Sequence, residues 1–421
     1  MRAVSRRDWM SWAAAAGLGF GGALAAPRHV VKHGRGHVHH HKHLITAGSA
    51  PDSLNGAALA KGLMFGSAIG QGLKPPAGMD ALKPYAVKPS AAFGDPRMRA
   101  LMVAQCGILV PENELKWYVL RRQPGGFDFR GADVLAAFAA TYGLAMRGHT
   151  LLWNRSRWMP PWVNAYDFGT NPAIAAEKML RDHIKTVCTR YGDRIFSYDV
   201  INETIAPDTG ELEDSPFSRI LGWNLIDICY HAAREFAPHA ELVYNDYMGW
   251  AQKDAAHRAG VLKLLDYMKK QNLPVDTLGI QSHIGSSGTG AAAGSLVDVD
   301  EVEWRKFLDE AVAEGLNLVI TEFDVNDRYV EGDIAARDRA VADFAKAYLD
   351  IMLGYPELRY IMAWGIVDKY SWLQSRSPRA DGLPKRPCPY DDNFEPKPLR
   401  EAIVAAIAAA PVRPGMQAKP A

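Results

Sequence analysis

Two stretches of this chain end an apolar run in a carboxylate. Ile195-Phe196-Ser197-Tyr198-Asp199-Val200-Ile201 runs into Asn202-Glu203, and Leu316-Asn317-Leu318-Val319-Ile320 runs through Thr321 into Glu322-Phe323-Asp324. A buried strand that stops at a glutamate places the acid at the rim of a sheet, where solvent and ligand reach it. Two such acids on different strands can protonate a leaving oxygen and act on the carbon it leaves, the division of labour that glycoside hydrolysis requires. Either glutamate alone could simply close its strand with an ion pair. The two together, with Asn202 and Asp324 beside them, point to catalysis.

The elements that must position these acids follow from hydrophobic period. Short apolar runs predict strands at Leu63–Ile69, Gly107–Val110, Leu144–Leu152, Ile195–Ile201, Ala240–Tyr244, Thr277–Ser282, Leu316–Thr321 and Tyr360–Ile366. Amphipathic segments predict helices between and after them: Asp95–Gln105, Gly131–Tyr142, Asn171–Tyr191, Phe217–Phe236, Asp254–Gln271, Asp300–Glu314, Asp333–Leu353 and Lys397–Ala409. Strand and helix alternate without an all-β interruption, which argues for an α/β fold, a single (β/α)8 TIM barrel. No Gly-x-Gly-x-x-Gly follows a strand, so a dinucleotide-binding fold lacks its main support. Catalytic residues of such a barrel sit where strands end. There the sequence places Glu112, Asn113 and Lys116; His149 and Trp153; Asn202 and Glu203; Asn245, Asp246 and Tyr247; Gln281 and His283; Glu322 and Asp324; and Trp364.

Seven strings then resemble glycoside hydrolase family 10, the retaining endo-β-1,4-xylanases, over roughly Leu63 to Leu399. They are Pro111-Glu112-Asn113-Glu114-Leu115-Lys116-Trp117, Arg147-Gly148-His149-Thr150-Leu151-Leu152-Trp153, Asp199-Val200-Ile201-Asn202-Glu203, Tyr244-Asn245-Asp246-Tyr247, Gly279-Ile280-Gln281-Ser282-His283, Ile320-Thr321-Glu322-Phe323-Asp324, and Trp364 to Trp372. The resemblance implies Glu203 as acid/base and Glu322 as nucleophile of a double displacement. It implies support from Asn202, which could bond a sugar 2-hydroxyl, and from His283 with Asp324, which would orient Glu322 and keep it ionised. Glu203 must start protonated, so burial and the neighbouring Glu322 should raise its pKa. Sugar binding is expected from Glu112, Asn113, Lys116, His149, Trp153, Asn154, Tyr247, Gln281, Trp364 and Trp372, with Trp117 as a further flat face. Three departures stand out. Asn154 occupies a position where the family usually has histidine, the loop Arg155 to Trp162 is longer than the common bacterial form, and Met248 stands where asparagine is frequent. Xylan is the leading substrate. A different β-linked polymer, such as an exopolysaccharide or glucan, is the enzymatic alternative, and a non-catalytic glycan-binding barrel is the other class.

The remaining sequence bounds partners and location. A net charge of +1 gives no electrostatic reason for a nucleic-acid partner. Residues 1–25 hold three arginines and Asp8, so without them 45 basic residues (48 less 3) face 46 acidic ones (47 less 1). Ser5-Arg6-Arg7 before an Ala/Gly-rich run, with Ala23-Leu24-Ala25 as a cleavage site, reads as a twin-arginine signal peptide over 1–25 and predicts a periplasmic or extracellular enzyme. Residues 26–59, with seven histidines between His29 and His43, read as a flexible linker without the fixed spacing of a metal site. The catalytic domain is expected at 60–410, with a flexible loop over 285–296 and a disordered tail over 411–421. No stretch after the signal is long and apolar enough to span a membrane, and no cofactor or metal is implied. The expected protein is a monomer. Cys106, Cys188, Cys229 and Cys388 form no C-x-x-C motif, and one disulfide is permitted but not assigned.

Overall fold

The architecture comes from a computed structural model, which describes residues 47–72, 90–285, 299–376 and 378–413. Its central strands are β1 (Met64–Ile69), β2 (Ile108–Pro111), β3 (Ala145–Gly148), β4 (Ile195–Asn202), β5 (Glu241–Asp246), β6 (Thr277–Ile280), β7 (Asn317–Asn326) and β8 (Leu358–Ala363). Each pairs in parallel with the next, and β8 pairs in parallel with β1, so the sheet closes. Two short segments extend this frame: Leu152–Trp153 pairs with the end of β4, and His283–Gly285 with the end of β7. The predicted third and sixth strands thus break where His149 and Gln281 turn toward the mouth of the barrel.

Helices cover the outside, and their starts follow capping chemistry. Asp95, Asp300 and Asp333 each accept a backbone N–H from the first turn of Pro96–Gln105, Glu301–Ala313 and Ile334–Leu353. The predicted Phe217–Phe236 helix is two, Pro216–Leu221 and Asn224–Phe236. Gly222 divides them at φ +56°, a conformation that ends a helix and suits a residue without a Cβ.

The barrel interior is apolar in one part and charged in another. Ala68, Ile108, Val110, Val243, Val319 and Met362 form an apolar cluster contributed by five strands. Deeper polarity comes from Arg147 of β3, which donates to Asp199 of β4 at 2.5 Å. Ser197 of β4 and Tyr360 of β8 lie on strands that are not neighbours, so their 3.0 Å hydrogen bond crosses the interior. Tyr360 also donates to Glu241 at 2.7 Å. Every one of these buried groups has a partner, which is the condition for a polar layer to be tolerated.

The packed unit is wider than the expected 60–410. Part of the segment read as linker, Leu54–Leu59, is a helix whose Leu54 and Ala58 are fully buried, capped by Ser53. Asn55 there accepts the N–H of Phe65 at 2.9 Å, tying this helix to β1. At the other end Arg413, expected in the tail, is fully buried and donates to the carbonyls of Leu353 and Tyr355. The histidine tract, the signal segment, residues 286–296 of the expected loop and residues 414–421 of the tail lie outside the described residues. All four cysteines are buried free thiols. Among the described residues no helix is long and apolar enough to cross a membrane.

Candidate active site

Glu203 follows the last residue of β4 in the left-handed region, φ +51°, which a side chain with a Cβ rarely adopts. The turn is held by a backbone hydrogen bond from its N–H to the Asn245 carbonyl at 2.9 Å. It carries the carboxyl out of the strand to face the β6 and β3 loops. There Gln281 Nε2 donates to Oε1 at 2.9 Å, and Arg155 Nη1 donates to Oε2 at 3.2 Å. The carboxyl is nearly buried, and burial is the main force raising its pKa. The charges of Asp246 and Glu322 push the same way, against the Gln281 hydrogen bond and the Arg155 charge.

Glu322, within β7, has the opposite setting. Burial alone would raise its pKa, but His149, His283 and Lys116 hold it at about 2. Asn245 Nδ2 donates to Oε1 at 2.9 Å, and His283 Nε2 lies 3.2 Å from Oε2. The other His283 nitrogen, Nδ1, sits 2.9 Å from Asp324 Oδ1. Burial disfavours the imidazolium, yet the two carboxylates carry His283 to about 10, so both ring nitrogens donate at neutral pH. Asp324 is itself fixed by Trp372, whose Nε1 donates to Oδ2 at 2.7 Å. On the far side His149 is held by Asp199 at 2.8 Å and stands 4.0 Å from Glu322.

Asn245 couples the two acids. Its amide donates to both Glu322 and Asn202 Oδ1, the latter at 2.8 Å, while Thr321 donates to its oxygen at 2.6 Å. Gln281 reaches Asn202 as well as Glu203, at 3.4 Å. With its oxygen so engaged, Asn202 keeps its NH2 group for a ligand.

The remaining expected residues divide. Lys116 lies over the rings of Trp153 and Trp364 at 4.6 and 5.7 Å and donates to Asn113 Oδ1 at 3.1 Å. Trp364 stands edge-on to His149 at 5.2 Å, and Trp372 packs against His283 at 5.0 Å. Glu112 lies against Gly70: a Cβ at that glycine would come within 2.4 Å of Glu112 Oε2. Tyr247 accepts a hydrogen bond from Arg155 at 2.8 Å. These side chains share the mouth with the two glutamates.

Asn154 and Trp117 do not belong with them. Asn154, expected among the sugar-binding groups, is fully buried. Its amide donates to Thr204 Oγ1 at 2.7 Å, and its oxygen accepts from Ser215 at 2.6 Å. Its neighbour along a strand-like backbone points the other way, so Arg155 takes the place near the acid. Trp117 stacks on His183 at 4.0 Å and donates to the Leu151 carbonyl, inside the core. Met248, the third departure, is buried among apolar side chains. Sequence reasoning passed over Arg155, and the visible signal was opposite charge on neighbouring loops: Arg155 and Arg157 after β3, Glu211, Glu213 and Asp214 after β4. It also left unassigned Glu114, a fully buried acid that accepts the N–H groups of Gln71 and Asn113 and is raised by burial to about 7. Among the described residues no group of three His, Cys, Asp or Glu side chains is placed to hold a metal ion.

The chain is similar in sequence and fold to known proteins. The sequence profile of Glycosyl hydrolase family 10 matches residues 80–406. Endo-1,4-beta-xylanase 3 of Hypocrea jecorina is 32% identical over 311 residues, covering 73% of this chain and 77% of that protein. A beta-1,4-xylanase of Dictyoglomus thermophilum is 31% identical over 298 residues, 69% of this chain and 78% of that one. Among solved structures, native xylanase 10B from Thermotoga maritima superposes with a TM-score of 0.69 at 26% identity, covering 84% of this chain and 98% of that one. Xylanase 10B from Thermotoga petrophila, solved in complex with xylobiose, gives a TM-score of 0.69 at 25% identity, covering 84% of this chain and 97% of that one. With the profile matched over well more than half of its length, the chain belongs to glycosyl hydrolase family 10.

Proposed function

We propose that the protein is an endo-1,4-β-xylanase that cleaves xylan by double displacement, with Glu203 as acid/base and Glu322 as nucleophile. One observation carries the assignment of roles. Two carboxyls at one mouth are pushed in opposite directions, Glu203 upward by burial and nearby acids, Glu322 down to about 2 by His149, His283 and Lys116. The protonated member gives its proton to the leaving oxygen while the ionised member attacks the anomeric carbon; water, deprotonated by Glu203, then releases the sugar. The Asn202 NH2 group would donate to the sugar 2-hydroxyl, and Lys116, Gln281 and the faces of Trp153 and Trp364 would hold the rings. The names of the relatives support xylan as the polymer.

Export by the twin-arginine route before action as a monomer outside the cytoplasm completes the proposal. Replacing Arg6 and Arg7 by lysine should leave the protein in the cytoplasm; undiminished export would count against that route. The catalytic roles are tested with an aryl β-xylobioside and with xylan. Glu203→Ala should spare kcat/KM for a substrate with a good leaving group, which needs little protonation, while losing xylan hydrolysis; its kcat should fall, because no base remains to activate water. Glu322→Ala should lose both, since no covalent intermediate forms. Tight binding of xylo-oligosaccharides by the wild type without release of phenol would overturn the catalytic reading.

A further inference from the structure

Arg155 lies on the loop after β3, and only 6% of it is exposed. Its planar head is shared. Nη1 donates to Glu203 Oε2 at 3.2 Å, Nη2 donates to Glu213 Oε2 at 3.2 Å and to the Tyr247 hydroxyl at 2.8 Å, and the head lies 5.2 Å from the Tyr247 ring. Both oxygens of Glu203 therefore accept hydrogen bonds, one from Gln281 and one from Arg155, the pattern of an ionised carboxylate. A proton arriving on Oε2 competes with the guanidinium for that oxygen. A second seat is already built, because Glu213 and Tyr247 hold the other prong.

We propose that Arg155 is a positioning residue that adjusts Glu203 between its two roles: it leans on Glu213 while Glu203 carries the proton, and closes on Glu203 once that proton has gone to the leaving oxygen. This rests on Glu203 being the acid/base. The charges around Glu203 support an alternation. Glu322 acts on it from β7, Asp246 from β5, Tyr247 from just after β5 and Lys116 from the β2 loop, while Glu213 of the β4 loop and His257 of helix Ala255–Lys270 reach it through Arg155 and Asp246. His257 Nε2 is itself 3.1 Å from Asp246 Oδ1 and packs on the Tyr247 ring. In the free enzyme the negative Glu322 helps keep Glu203 protonated. When Glu322 becomes an ester its charge is gone, and the Arg155 cation is left to favour the ionised base that activates water.

The test is the pH profile of kcat/KM on an aryl β-xylobioside, whose basic limb reports the acid of the free enzyme. Arg155→Gln removes the cation and should move that limb upward by about 1 pH unit, leaving the acidic limb of Glu322 in place. On a dinitrophenyl xylobioside, where release of the sugar limits turnover, the same variant should lose about tenfold in kcat at pH 5. Arg155→Lys keeps the charge and should restore the limb toward wild type. Glu213→Gln removes the competing carboxylate and should shift the limb the opposite way, downward; it also keeps the proposal open to refutation if Arg155→Gln fails to fold. A lowered Tm with unmoved limbs in Arg155→Gln, or an unmoved limb in Glu213→Gln, would reduce Arg155 to a structural ion pair. Wild-type enzyme that releases no phenol would instead remove the catalytic reading itself.

Discussion

His283→Gln isolates the charge that holds Glu322 ionised, because glutamine can still donate to the carboxylate but carries no cation. The displacement of Glu322 from 4.5 to about 2 amounts to about 3 kcal/mol in favour of the ionised form, achieved against burial by His149, His283 and Lys116 together. Without the imidazolium 3.2 Å away, burial regains ground, and the carboxyl should titrate about 2 units higher. The sign follows from which form reacts. Glu322 must be ionised to attack, so activity is lost as pH falls through its folded pKa, near 2 in the wild type and near 4 in the variant. In kcat/KM on an aryl β-xylobioside from pH 3 to 8, the wild type should stay flat down to about pH 3. The variant should have lost about tenfold there relative to its own plateau. Stability should follow the same linkage. Ionised Glu322 stabilises the fold above about pH 4.5, and that contribution is lost as pH falls through about 2. Protonated His283 stabilises it below 6.5, and that contribution is lost as pH rises through about 10. The variant forgoes the second and most of the first, so urea titrations near pH 6 should show it less stable. An acidic limb unmoved in His283→Gln would refute the view that this imidazolium sets the state of the nucleophile.

Three further outcomes are expected. Asn154→His, the residue the family resemblance leads one to expect there, should cost about 1 to 3 kcal/mol, because a larger ring must enter a fully buried site and replace hydrogen bonds of 2.7 and 2.6 Å; a changed substrate preference at unchanged Tm would contradict this. Gly70→Ala should drive Glu112 out of its seat and raise KM about fivefold with little effect on kcat, the mark of a lost ground-state contact worth about 1 kcal/mol; unaltered KM on xylo-oligosaccharides would separate Glu112 from binding. A crystal structure should find the Glu203 and Glu322 carboxyls about 5 to 5.5 Å apart, whereas about 9 Å would imply an inverting mechanism.

The barrel and its rim were legible because both rest on one regularity: apolar runs that end in polar residues. Glu203 follows β4 just where the hydrophobic pattern stops, whereas β7, expected to end at Thr321, runs past Glu322 to Asn326. What escaped lacks such a signal. Asp199 lies inside an apolar run and looks like an interruption, yet it holds both Arg147 and His149, a pairing between strands that no local pattern encodes. Asn154 and Arg155 are adjacent in the chain and point to opposite sides, so a family position was legible there while the direction of its side chain was not. Trp117 was misplaced because an aromatic ring has the same appearance in sequence whether it faces a sugar or stacks on His183. The early boundary at residue 60 followed from reading a histidine-rich composition as continuing through Leu54–Leu59, whose six residues are too few to declare a helical period.

The left-handed backbone at Glu203 sets fold and activity against each other at one residue. A residue with a Cβ held at φ +51° costs on the order of 1 to 2 kcal/mol relative to glycine. Glycine there would relieve the turn and remove a nearly buried carboxyl at the same time. A library of variants screened by survival on heating alone should therefore drift toward glycine or asparagine at position 203, enriching hardy proteins that cut nothing. Selection for turnover is what keeps glutamate in place, and a heat screen of this enzyme preserves its chemistry only when every round also scores product.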